Sequence, residues 1–293
     1  MSMLRAVVFA AGILAAGATH AASPEAIWKA GLADTDRDYA VVPHAILKIQ
    51  DAAYLGEGES ATLMGKRGYP GSYKWVPGIR PGGALVAKYA GGKPVLERNG
   101  QALDNPLADV PIDKDIDVQA YPTQVEAGVT GIRVFVYDQQ NPAAKAFKGV
   151  DYFPYDPKFV VTATFFPDAK ISAQRFITSR GTSKEFFRAG MAEFTLEGRQ
   201  FSVPFYADTD DPKKISDLTA FFTDDLTGHG TYGAGRYVDV ALLHGFPPRT
   251  FVIDFNYAYN PNCARSAFFT CPVAFDHLAI PITVGERDPH LQH

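Results

Sequence analysis

Short runs of alternating apolar and polar residues, cut at close intervals by glycine-containing turn pairs, limit this chain more than anything else in it. Gly56-Glu57-Gly58, Gly82-Gly83, Gly91-Gly92, Asn99-Gly100 and Glu197-Gly198 each interrupt such a run. Pairs of this kind tolerate the positive φ that a tight hairpin needs, and the runs between them have strand length. Residues 84–89 and 94–98 are expected to pair across Gly91-Gly92, and residues 191–196 and 199–203 across Glu197-Gly198. Residues 131–137 read as a strand with Ile132, Val134 and Val136 on one face and Arg133, Phe135 and Tyr137 on the other. Further strands are expected at 159–166, 218–223, 237–243, 251–255 and 278–284, with a glycine-rich turn at 227–235. Asp113, Asp115 and Asp117 alternate as they would on one strand face. One helix is signalled, by Ser23-Pro24-Glu25: a capping hydroxyl, a proline at the first helical position and an acid in the first turn. The fold class expected is mainly β, two packed sandwich- or barrel-like modules with a short N-terminal helix. The Pro-rich connection around 138–148 divides residues 22–137 from 138–293.

The first 21 residues read as a signal peptide. One positive charge at Arg5 precedes an apolar run from Ala6 to Ala18, and Thr19-His20-Ala21 offers small residues where a signal peptidase reads. That run is short for a membrane span, and no other stretch approaches span length, so the mature chain is expected to carry none. The expected location is periplasmic or secreted. A net charge of -4 at pH 7 gives no basic footprint, which removes nucleic acid from the expected partners. The chain has only two cysteines, Cys263 and Cys271. An oxidising compartment favours their pairing, and a loop this short would restrict the unfolded chain by roughly 2–3 kcal/mol. Half of a metal site and a redox pair are the competing readings; no second Cys pair exists, and the spacing is not C-x-x-C.

The residues with chemical potential crowd into 232–286. Gly228-His229-Gly230-Thr231-Tyr232-Gly233 matches G-x-G-x-x-G, but dinucleotide binding needs a helix N-terminus after it, and a β run follows instead. The seven histidines are dispersed without metal-ligand spacing, and no G-x-S-x-G elbow occurs. No metal and no cofactor is expected, and no catalytic residue is assigned. Strand alternation would put Asp254 and Asn256 on one face, where Arg236 could meet Asp254 in a charge-assisted bond. With Tyr232, Tyr259, Asn260 and Glu286 these residues form the candidate ligand-binding set. The set reads either as a buried polar network or as a pocket for a small polar or anionic ligand, in a protein with a binding or structural role in the cell envelope. The alternative is a hydrolase with Asp254 or Glu286 as base and Arg236 as anion clamp.

Several motifs carry a resemblance. They are Gly56-Glu57-Gly58-Glu59, Arg133-Val134 with Asp138, Phe147-Lys148-Gly149 leading to Phe153-Pro154-Tyr155-Asp156-Pro157, and Thr231-Tyr232-Gly233-Ala234-Gly235-Arg236-Tyr237. Asp254 through Ala264, Cys271-Pro272 and Pro281 through Glu286 complete the set. In these the chain resembles the DUF1684 family of uncharacterised bacterial and archaeal proteins, over nearly all of the mature length. It departs from the family at Phe275-Asp276-His277-Leu278, where the family has a Glu-Asn pair. The resemblance implies no activity. Asn99-Gly100-Gln101 is also similar to a turn of forkhead-associated β-sandwiches, without the Ser and His that bind phosphopeptide there.

Overall fold

The computed structural model describes residues 22–291; the signal-peptide segment lies outside the described residues. Helix α1 (Pro24–Ala40) starts as its cap signals require: the Ser23 hydroxyl accepts the N–H of Ala26, and Pro24 occupies the first turn. It buries only Trp28 and Tyr39.

The first module holds nine strands: β1 (Ile49–Leu55), β2 (Ser60–Lys66), β3 (Tyr69–Pro77), β4 (Leu85–Ala90), β5 (Lys93–Arg98), β6 (Gln101–Ala102), β7 (Val110–Asp113), β8 (Ile116–Glu126) and β9 (Val129–Asp138). They form two antiparallel sheets, ordered β1-β9-β8-β7 and β3-β2-β4-β5-β6. The β4–β5 hairpin turns at Gly91 and Gly92, with φ of 59° and 72°. Leu63, Trp75, Leu85 and Leu96 of one sheet bury against Val118, Ile132, Val134 and Val136 of the other. Strand β9 is buried on both faces from Gly131 onward, and this fixes its place. Its opposite face sends Phe135 and Tyr137 into a separate cluster with Tyr39, Ile46, Ile49, Phe269 and Cys271. That cluster is where the first module meets the loop between the cysteines. Asp113, Asp115 and Asp117 do not share a strand face, because the chain reverses between β7 and β8. Asp113 instead accepts the N–H groups of Gly68 and Lys114.

The connection carries a short helix that its composition does not announce, α2 (Pro142–Ala146), capped by Asn141. The second module then lays down β10 (Val160–Ile177), β11 (Ser183–Leu196), β12 (Arg199–Ala207), β13 (Asp217–Asp224), β14 (Arg236–Ala241), β15 (Thr250–Asp254) and β16 (Asp276–Leu278). Their order is β14-β13-β12-β11-β10-β15, with β16 parallel to β13. A backbone bridge between Tyr237 and Tyr259 brings the chain leaving β15 back onto β14, so the sheet nearly closes into a barrel. Phe194, Phe205, Phe222, Val238, Ile253 and Phe255 fill it. The last strand lies earlier than the expected 278–284: β16 ends at Leu278, residues 279–284 pair in no strand, and the carbonyls of Ile282 and Val284 bond to a side chain instead.

At the junction, His44 Nε2 lies 3.1 Å from Asp117 Oδ1 and 3.6 Å from Asp109 Oδ2. The hydrogen bond to Asp117 raises the histidine above its ordinary value, against the opposing effect of burial. A folded-state pKa above the unfolded one adds stability that is complete below the unfolded value near 6.5 and is lost as pH rises through the folded value. Stability is therefore expected to decline above about pH 6.5 with a slope no steeper than about 1.4 kcal/mol per pH unit. Urea titrations across pH 6 to 9 will show whether His44→Gln removes that component. A wild-type slope shared by the variant would assign it elsewhere.

Candidate functional site

Arg236 opens β14 and faces inward with 1% of its side chain exposed. Its Nη2 donates to Asp224 Oδ2 at 2.7 Å and to the Ile282 carbonyl at 2.9 Å. Its Nη1 donates to the carbonyls of Val284 at 2.5 Å and Glu286 at 3.2 Å. Phe222 lies under the guanidinium, 5.5 Å from ring centre to Cζ. Burial pushes the Arg236 pKa down, and Asp224 opposes that shift. The expected Arg236–Asp254 pair does not form. The guanidinium is committed to a carboxylate on the neighbouring strand and to three main-chain carbonyls, and it offers no free fork to an anion.

Asp254 ends β15 and caps a single 3-10 turn, Phe255–Tyr257, so the strand alternation expected there is broken. Its Oδ1 accepts both the main-chain N–H of Asn256 at 3.0 Å and the Asn256 Nδ2 at 2.8 Å. Asn256 is fully buried. Its amide pairs with both backbone groups of Asp156, and its carbonyl accepts the Trp28 indole N–H at 2.9 Å. Burial raises the pKa of Asp254, and the Asn256 bonds hold it down. These groups stitch helix α1, the inter-module connection and the barrel together.

Glu286 is completely buried after Gly285, whose φ is 79°. Its Oε2 accepts the N–H of Asn260 at 3.2 Å and lies 3.4 Å from Arg265 Nη2, while Oε1 accepts the Tyr152 hydroxyl at 3.4 Å. The Asn260 amide donates to the Arg287 carbonyl at 2.7 Å. The Tyr259 hydroxyl goes to Asp239 at 2.9 Å. Tyr232 stands apart from the rest, with its hydroxyl 4.0 Å from Cys263 Sγ. The seven candidate residues are thus distributed over several separate polar contacts rather than around one concavity.

The concavity lies elsewhere. A cleft of about 360 Å³ opens between the modules, lined by Ile46, Gln50, Asp138, Asn141, Arg265 and Ser266 among others. Helix α2 and the strand end before it supply one wall, and the loop between the cysteines supplies the other. The Arg265 side chain is 8% exposed; one nitrogen approaches Glu286, and its Cζ lies 5.0 Å over the Tyr39 ring. Its Nε is buried without a hydrogen-bond partner, and so is Oε1 of Gln50. The Gln50 amide nitrogen donates to the Tyr73 carbonyl at 2.6 Å, which fixes the orientation of its oxygen. Asp138 is buried, and its carboxylate accepts the N–H of Gln140 at 2.8 Å.

Reasoning from the sequence missed Arg265, Gln50 and Asp138. Arg265 was the most accessible of them: a lone cation two positions after Cys263, inside a short loop that something must anchor. Both cysteines are free thiols. The Cys263 N–H donates to Cys271 Sγ at 3.3 Å, and the two thiols hydrogen-bond each other. Among the described residues no group of three His, Cys, Asp or Glu side chains is placed to hold a metal ion, and no helix is long and apolar enough to cross a membrane.

Residues 145–287 match the model of a family described as a protein of unknown function, DUF1684. The match begins after the first module, so the earlier motifs of the resemblance lie outside it. A solution NMR structure of an uncharacterized protein from Haloarcula marismortui is similar at 27% identity, with a TM-score of 0.43, over 51% of this chain and 80% of that one. A search of curated proteins finds no match.

Proposed function

We propose, for a chain whose residues 145–287 belong to the DUF1684 family, an exported protein that binds a small polar solute in the cleft between its modules. One observation carries the reading: two residues that line the cleft, Arg265 and Gln50, each keep a buried polar atom, Nε and Oε1, without a partner. An unmade hydrogen bond at a buried group costs about 1–3 kcal/mol, and a ligand towards which both side chains turn from the cleft wall recovers it. The volume is in the range of small-molecule sites, which run from about 300 Å³ upward. Asp138, on the wall opposite Arg265, favours a cationic or hydroxyl donor, so a solute of amino-acid size, with a carboxylate for Arg265 and an ammonium for Asp138 and Gln50, fits the donor set. Arg236 is replaced by Arg265 as the anion-facing cation of the reading. Oxidation of Cys263 and Cys271 in the exported chain would close the loop that carries Arg265 with a disulfide. The apolar run at 6–18 supports export.

Thermal unfolding of the purified protein against a panel of amino acids, hydroxy acids and sugars tests this. A ligand at a hundred times its Kd should stabilise by about 2.7 kcal/mol, and Arg265→Gln should reduce that gain by about half or more while Asp254→Asn preserves it. A panel without any stabilising member, or a hit that Arg265→Gln leaves intact, would overturn the assignment.

A further inference from the structure

We propose that Cys263 and Cys271 form a thiol–disulfide exchange centre in which Cys263 is the attacking sulfur and Cys271 the resolving one. The inference does not depend on the cleft reading.

The two sulfurs are built unequally. Cys263 sits half-buried on a single 3-10 turn, Asn262–Ala264, and Cys271 is 9% exposed within the junction cluster. Three polar groups surround the Cys263 sulfur: the Tyr232 hydroxyl 4.0 Å away, the Cys271 thiol, whose sulfur accepts the Cys263 N–H at 3.3 Å, and the Ser179 hydroxyl. They come from separate parts of the chain. Ser179 lies in the turn between β10 and β11, and Tyr232 in the glycine-rich turn before β14. Ser179 is held in place because its Oγ also accepts the Cys271 N–H at 3.5 Å. A disulfide that merely staples a loop has no use for donors aimed at one of its sulfurs. A thiolate needs them, since hydrogen bonds to the charged form are what stabilise it.

The electrostatics follow this geometry. The Cys271 hydrogen bond, with Ser179 and Tyr232, pulls the Cys263 thiol down to about 6 against the cost of burial. Its partner moves the other way: donating to Cys263, and buried, Cys271 is raised well above the ordinary thiol value. The Lys184 ammonium, which burial lowers to about 8, acts on Cys271 in the opposite sense and favours its charged form. The less buried sulfur is therefore the one favoured as thiolate, while the more buried one holds its proton.

The substrate class is a small or peptide disulfide. The Cys263 thiolate attacks one substrate sulfur, the substrate S–S bond breaks, and the first substrate thiolate leaves and takes a proton. Cys271 then gives up its proton and attacks the Cys263 sulfur of the mixed disulfide. The Cys263–Cys271 bond forms as the second substrate thiol departs. Two electrons pass from the protein dithiol to the substrate disulfide, and the reverse sequence with two thiols resets the pair.

The full chain, reduced and folded, is to be treated with glutathione disulfide and followed by intact and peptide-resolved mass spectrometry. Wild type should convert to the internal disulfide with only a transient adduct, and Cys271→Ser should retain one glutathione on Cys263. Because serine variants can fold poorly, a second measurement uses wild type alone. In the reduced native protein, iodoacetamide at pH 7 should alkylate Cys263 at least about tenfold faster than Cys271, and Tyr232→Phe should narrow that ratio. Equal alkylation rates, or an oxidised protein whose disulfide survives a large excess of reduced glutathione, would leave the pair a structural staple and overturn the proposal.

Discussion

Arg236→Ala is expected to cost about 3–5 kcal/mol, the range for removing one partner of a buried ion pair. Asp224 would be left charged with 1% of its side chain exposed. The carbonyls of Ile282, Val284 and Glu286 would lose their shared donor. A domain with ordinary stability of about 5–15 kcal/mol would be brought near its unfolding threshold. Urea denaturation of wild type, Arg236→Ala, Asp224→Asn and the double variant measures the pair directly. Each single change should be severe, and the double should recover part of the loss, because it removes the stranded charge. A loss under about 1 kcal/mol for Arg236→Ala, the scale of an exposed pair, would mean that the guanidinium does not hold the C-terminal segment.

Trp28→Ala carries the other large effect, about 3–5 kcal/mol for truncating a buried tryptophan. Helix α1 docks through few buried groups: Trp28 and Tyr39 are its buried residues, Trp28 reaching Asn256 and Tyr39 packing with Phe269 and Cys271. The indole meets the rings of Tyr152 and Tyr155 with centroids 5.9 Å and 5.6 Å away, and its N–H is spent on the Asn256 carbonyl. Trp28→Phe keeps most of the ring contact and gives up the hydrogen bond, a loss of about 1 kcal/mol for that bond alone. Limited proteolysis separates local from global effects. Fast cutting within 24–45 of Trp28→Ala, with the barrel intact, is the expected pattern. A variant as resistant as wild type would show that the helix docks by other contacts.

The turns and the central strand were legible because their causes are local. A Gly-Gly pair, a Glu-Gly pair and the strict alternation of 131–137 each determine geometry within a few residues, and the β4–β5 and β11–β12 hairpins and the two-faced strand β9 follow from them. The polar site was less legible because its partners are distant. Arg236 reaches Asp224 across 12 positions and Val284 across 48. Nothing near Arg236 distinguishes Asp224 from Asp254 as its counter-ion; the register of β13 against β14 decides it. Asp254 was misread for a different reason. Its side chain competes for the N–H two residues ahead, a local bond that turns the backbone out of the strand. The cleft has residues from both modules, Gln50 and Asp138 from one and Arg265 from the other, and no single stretch of sequence contains it.

The three carbonyls around Arg236 also impose an order of assembly. The first module has all of its strands by Asp138, and its sheets pair only among themselves. The barrel is different. Asp224 and Arg236 become adjacent as soon as β13 and β14 pair, but the guanidinium then faces a partly solvated cavity with most of its donors idle. Only when residues 282–286 arrive does the charge become dry, with both terminal nitrogens of the guanidinium bonded. During synthesis the earlier half can therefore settle while the later half stays open, and the tail of the chain acts as the bolt that turns a loosely paired sheet into a sealed one.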